Sequence, residues 1–188
     1  MTVLPSDQFE LSKYLGTWYQ YASTSQWYEP CDAYNTQALY ELQPDGSVSV
    51  QNTLYTRGSP RTIQGTLIAT DSPRVFQVKL QNVVLWFSVT APYVVRTVVV
   101  DETGGYKFAI VGTSLTESTG TFYILSRVQT PTCAEQTTLL QLLTDLGYDL
   151  RKIKYTPQVC GTETLVMWRR NSCIHGGLIF FIYKMKSS

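Results

Sequence analysis

From residue 17 to residue 128 the chain alternates apolar and polar residues in about eight short runs, with turn-forming residues between most of them. Alternation with period two puts successive side chains on opposite faces of a strand, and many such runs in series make an antiparallel all-β protein. The runs cover 17–23, 36–42, 47–55, 62–70, 75–80, 93–100, 106–112 and 121–128. Pro44-Asp45-Gly46, Asp71-Ser72-Pro73 and the segment 101–105 supply tight turns between consecutive runs. Eight strands at this spacing fold either as a two-sheet sandwich or as a closed up-and-down barrel. A barrel of that strand number has room for one small ligand.

The period then changes. Thr132-Cys133-Ala134-Glu135 has the form of a capping box, in which the Thr hydroxyl and the Glu carboxylate satisfy each other's backbone donors. Leu139, Leu142, Leu143 and Leu146 follow at helical spacing, and Gly147 supplies a left-handed stop. This predicts one helix, its leucine face laid on the outside of the sheet, and then a short strand over 152–155. Residues 161–188 are atypical. Leu178-Ile179-Phe180-Phe181-Ile182-Tyr183 is a dense apolar run beside Lys184 and Lys186. It reads either as an extra strand or tail, or as a contact site for a partner or a membrane surface.

Composition narrows the function classes. The 188 residues are enough for one domain with a real core. Hydrophobic residues make up 44% and charged residues 15%, with a net charge of +1, so no broad attraction to nucleic acid or anionic membrane is expected. No apolar stretch approaches the ~20 residues of a membrane-spanning helix. Residues 1–10 lack the apolar core of a signal peptide. The four cysteines, Cys31, Cys133, Cys160 and Cys173, form no Cys-x-x-Cys pair, which argues against zinc or redox motifs. Their even number and wide spacing lean toward an oxidising compartment. Spacing alone leaves all three pairings open.

Tyr14-Leu15-Gly16-Thr17-Trp18-Tyr19, Ala91-Pro92-Tyr93 and Tyr123-Ile124-Leu125-Ser126-Arg127 together resemble the motifs of the lipocalin family. Gly147-Tyr148-Asp149 leading to Ile153-Lys154 follows the family's order of helix and final strand. The resemblance is nearest to the branch of apolipoprotein D, bacterial lipocalin and the invertebrate bilin and carotenoid carriers. It implies an eight-stranded barrel with one outer helix over residues 1–160, with 161–188 as an extension. It also implies that Gly16, Trp18 and Arg127 close one end, the Arg lying over the indole. One departure is Val100-Asp101-Glu102, which stands where the family has Thr-Asp-Tyr.

The same resemblance implies a disulfide between Cys31 and Cys160, and leaves Cys133 either free or paired with Cys173. It places Tyr40 and Tyr123 at ligand-touching positions. Strand parity adds Val48, Val50, Asn52 and Leu54 on one inward face, and Phe76, Val78 and Leu80 on another. The expected ligand-binding set is Tyr40, Val50, Asn52, Leu54, Phe76, Val78, Tyr93 and Tyr123. Trp27-Tyr28 and Trp86-Phe87 fall in loops at the open end, where they either gate access or pack on the rim.

The function implied is carriage of one small hydrophobic ligand (fatty acid, lysolipid, sterol, retinoid, carotenoid or bilin) by a secreted protein that needs no cofactor or metal. Ligand polar groups are expected to meet Tyr hydroxyls and Asn52 rather than a deep cationic clamp. Arg96, on a strand near the mouth, either meets a carboxylate or sits on a solvated face. Catalysis has little to work with. The single histidine, His175, lies in the extension, and no cysteine falls within a predicted barrel strand. Asp145, Asp149, Glu135 and Glu163 read as helix and loop charges. The alternatives are a lipid-modifying enzyme on the same barrel, or a homo- or hetero-oligomer built through the apolar run 178–183.

Overall fold

The computed structural model describes residues 1–24, 30, 32–84, 87–113 and 121–158, and the backbone of 167–168 and 181–182. A short β1 (Thr2–Val3) and the single-turn helix α1 (Leu11–Tyr14) precede the barrel. Its strands are β2 (Gly16–Thr24), β3 (Tyr34–Leu42), β4 (Val48–Thr56), β5 (Ser59–Ala69), β6 (Val75–Val84), β7 (Phe87–Val100), β8 (Tyr106–Gly112) and β9 (Phe122–Ser126). Each pairs antiparallel with the next, from β2 to β8 and on to β9, and β9 pairs back with β2. That circuit decides between sandwich and barrel: the sheet is closed, and its eight strands leave no free edge. The helix α2 (Cys133–Asp145) and β10 (Ile153–Tyr155) follow, β10 pairing with the end of β2.

Two apolar clusters lie on the two sides of the barrel wall. Trp18, Val50, Leu67, Val95 and Leu125 belong to the one that fills the barrel. Phe108, Ile110, Phe122 and Ile124 belong to the other, packed with Leu139 and Leu143 of α2. β8 therefore has to be apolar on both faces. Ala109 and Val111 face inward, Phe108 and Ile110 face the helix, and all four are buried.

The predicted capping box forms. The backbone N–H of Glu135 donates to Thr132 Oγ1 at 3.3 Å, and that of Thr132 donates to Glu135 Oε2 at 2.8 Å. Lys107 of β8 pairs with the same carboxylate, fixing the start of the helix to the wall. Lys107, the Thr132 donors and the charge between them hold the Glu135 carboxyl below its ordinary value. Thr132→Ala is expected to lower stability by about 1 kcal/mol, read as a shift in the denaturation midpoint at unchanged slope. The helix face differs from the expected one: Leu139, Leu140 and Leu143 are buried and Leu146 is 41% exposed. The helix stops at Asp145, and Gly147 at φ 81° turns the chain away before Leu146 can return to the wall.

Candidate ligand-binding site

One end of the barrel is sealed from the sequence upward. Gly16 adopts φ 90°, a conformation that suits only glycine, and so bends the chain from α1 into β2. Two residues on, Trp18 is fully buried, and its Nε1 donates to the carbonyl of Tyr14 at 2.7 Å. Arg127, at the end of β9, lays its guanidinium 3.8 Å from the centre of the indole ring. Its Nη1 donates to the Thr17 carbonyl at 2.8 Å, and its Nη2 to those of Lys13 and Leu15 at 2.6 and 2.9 Å. One side chain thus covers the aromatic plug and ties three carbonyls at the junction of α1 and β2. Burial pulls the Arg127 guanidinium below its ordinary value, partly offset by the nearby Tyr14 phenol.

Above this floor the inward positions change character along each strand. On β4, Val48 and Val50 are buried, whereas Asn52 and Leu54 keep part of their surface. The same happens from Val78 to Leu80 on β6 and from Leu125 to Tyr123 on β9. The inward positions are therefore more deeply buried near the closed end and more exposed toward the other. Gly65 shapes the wall: a Cβ there would lie 2.7 Å from the Lys79 carbonyl oxygen and 2.8 Å from Leu80 Cδ2. The missing side chain is what lets Leu80 lean across β5. Gly65→Ala is expected to cost about 1–3 kcal/mol by overpacking, measurable by thermal or chemical denaturation.

Three tyrosines from distant segments meet inside the barrel. The hydroxyl of Tyr93 lies 2.6 Å from that of Tyr14 and 2.8 Å from that of Tyr40. The rings of Tyr14 and Tyr40 are 5.4 Å apart, and Phe76 meets Tyr93 edge-on at 6.4 Å. Burial pushes all three phenols up, Tyr40 to about 12 and the other two well above the ordinary value. They are neutral at physiological pH. The Tyr14 and Tyr40 hydroxyls also interact, so the three phenols form one mutually bonded cluster. The cluster therefore offers hydroxyl lone pairs in an otherwise apolar enclosure. Apolar walls with a few fixed polar groups are the usual make-up of a small-molecule site.

The structure places the sequence-predicted residues as follows. Tyr40, Val50, Phe76 and Val78 are buried in the inner cluster, with Tyr93 and Tyr123 packed against it. Asn52 and Leu54 share the inward face of β4 nearer the mouth. Arg96 does not face the lumen. It follows the inward Val95, so alternation turns it out; its guanidinium lies over Gly112 and its Nη2 donates to the Thr121 carbonyl at 3.4 Å. Sequence reasoning missed Arg74, which is buried at the closed end with its guanidinium 6.0 Å from the Phe9 ring centre. It follows Pro73 in a turn, where a cation reads as solvated.

Trp27, Tyr28, Trp86, Cys31, Cys160, Glu163, Cys173, His175 and most of the run 178–183 lie outside the described residues, as does the side chain of Phe87. Cys133 is disulfide-bonded rather than free, to a partner also outside them. Among the described residues, no group of three or more His, Cys, Asp or Glu could hold a metal ion, and no helix is long and apolar enough to cross a membrane.

Residues 9–158 match the family model of the lipocalin-like domain. Temperature-induced lipocalin-1 of Arabidopsis thaliana is 30% identical over 156 residues, covering 79% of this chain and 78% of that protein. Among solved structures, insecticyanin of the tobacco hornworm Manduca sexta superposes with a TM-score of 0.61 at 18% identity, over 83% of this chain and 84% of its own. The cockroach allergen Per a 4 gives 0.59 at 17% identity, over 85% and 94%. Lobster apocrustacyanin A1 gives 0.54 at 18%, over 79% of each. These structures share the fold, and the family model over residues 9–158, together with the 30% identical relative, makes the assignment: the chain belongs to the lipocalin family.

Proposed function

We propose that this protein is a carrier that encloses one small hydrophobic molecule in the barrel and releases it unchanged. The observation that carries the reading is the closed barrel, sealed at one end by Trp18 and Arg127, with inward apolar positions that grow more exposed toward Leu80, Asn52, Leu54 and Tyr123. Tyr40, Val50, Phe76 and Val78 form the lower wall in this reading, and Tyr93 presents a hydroxyl to the ligand. The family, in general one of binding and transport, supports it. The disulfide at Cys133 supports work in an oxidising compartment, outside the cell.

Native mass spectrometry of protein from its own source, with organic extraction and an absorbance scan, tests the reading. One small apolar molecule per chain, recovered unchanged, is the expected result. Recovery of a converted product on incubation with lipid would favour a lipid-modifying enzyme on the same barrel. A barrel that arrives empty, and whose tryptophan fluorescence is not quenched by fatty acids, retinoids or bilins, would overturn it.

A further inference from the structure

Arg74 immediately precedes β6, and alternation puts it on the inward face shared by Phe76 and Val78. The ladder holds its backbone there, with the Val95 N–H donating to the Arg74 carbonyl at 2.8 Å. The side chain is only 7% exposed, yet Nε and Nη2 are both buried without a hydrogen-bond partner. Those two nitrogens form one edge of the guanidinium, with N–H groups that point the same way. This edge is the one that grips a carboxylate through two parallel bonds. The ion pairs among the described residues use Lys13, Arg57, Lys107, Arg151 and Lys152, and none uses Arg74. The ionisable groups it senses are the phenols of Tyr106 and Tyr148, while burial works against its charge. A buried, unpaired cation is costly, and folded proteins normally pair or hydrogen-bond one.

The surroundings indicate what would pair with it. Phe9 lies 6.0 Å from the Arg74 guanidinium and 5.7 Å, ring to ring, from Tyr14. Tyr14 in turn is hydrogen-bonded to Tyr93. The unmet fork and the tyrosine cluster are therefore linked through Phe9 at the closed end. A carboxylate has lone pairs enough for both N–H groups of the fork.

We propose that Arg74 is the anchor for a carboxylate, so that the ligand is an apolar molecule with one acid group, seated head first at the closed end. The proposal rests on the carrier reading and names its ligand class. It replaces the sequence expectation that no deep cation would take part.

The test is displacement of a fluorescent probe from the full chain by hexadecanoate, methyl hexadecanoate and hexadecanol. At neutral pH the acid is expected to bind roughly 10–100-fold tighter than the ester, the range of a charge-assisted hydrogen-bonded pair. In Arg74→Met that preference should collapse to within a few-fold, with hexadecanol binding unchanged. Arg74→Lys, which keeps the charge but loses the fork, should fall between the two. Equal binding of acid and ester by the native protein, or a preference that survives in Arg74→Met, would overturn the anchor while leaving the carrier reading intact. Displacement by none of the three would bring down the carrier reading, and the anchor with it. Removing a buried unpaired charge is often neutral or stabilising, so Arg74→Met is expected to fold. If it does not, carboxyl-labelled hexadecanoate bound to the native protein decides by NMR. A carboxyl that stays ionised to lower pH than in detergent supports the anchor, and one that titrates as it does in detergent rejects it.

Discussion

Trp18→Ala is expected to destabilise the protein by about 3–5 kcal/mol, the cost of removing a large aromatic side chain from a packed core. The loss has three parts. The indole is fully buried, so its removal empties the closed end. Its N–H satisfies the Tyr14 carbonyl at the end of α1, which is then left without that donor. It is also the surface on which Arg127 lies, and Arg127 holds the carbonyls of Lys13, Leu15 and Thr17. At roughly 2–4 °C per kcal/mol for a chain of this size, the melting temperature should fall by about 6–20 °C. Thermal denaturation followed by circular dichroism measures it. Unchanged melting would mean that α1 and Arg127 close the barrel without the indole, and the seal would have to be assigned elsewhere.

The closed end and the strand sequence were legible because their signals are local. Gly16 and Trp18 are two residues apart, and Arg127 ends a run whose alternation is plain. Thr132 and Glu135 declare the helix start within four residues. Strand ends were harder to read. β4 and β5 are joined through Arg57 and Gly58, both at positive φ, and an arginine there carries no turn signature. β5 begins at Ser59 and passes through Pro60, and β7 begins at Phe87 and passes through Pro92, so both start earlier than the proline-bounded patterns suggested. The site was legible only residue by residue. Alternation pointed Tyr40 and Phe76 inward, but the cluster needs three hydroxyls from α1, β3 and β7, and their meeting is set by barrel closure. Arg96 and Arg74 show the same limit in opposite directions. The first sits one residue past the inward Val95 and so faces out, and strand parity extended one step into a turn brought the second in.

The tyrosine cluster makes stability fall steeply at alkaline pH. In the unfolded chain each phenol ionises near pH 10, whereas burial holds Tyr40 to about 12 and Tyr14 and Tyr93 well above 10 in the folded protein. Below pH 10 both states carry neutral phenols, and the full stability is present. Between pH 10 and the folded values only the unfolded chain loses protons, so unfolding is favoured by about 1.4 kcal/mol per pH unit for each phenol. Tyr40 alone then removes about 2.3 kcal/mol by pH 12, and the other two add to it. Denaturation midpoints measured from about pH 8 to pH 11.5, with phenolate absorbance followed alongside, give the slope directly. Phenolate signal from the cluster should appear only as the protein unfolds, and Tyr93→Phe should make the slope shallower. A midpoint that stays flat across this range would show that the hydroxyls titrate as exposed phenols do. They would then be open to water, and a ligand could not draw on them as neutral hydroxyls in an enclosed floor. A steep slope shared by the three would instead show that the cluster stays neutral and enclosed while folded, which is the state a ligand in the barrel would meet.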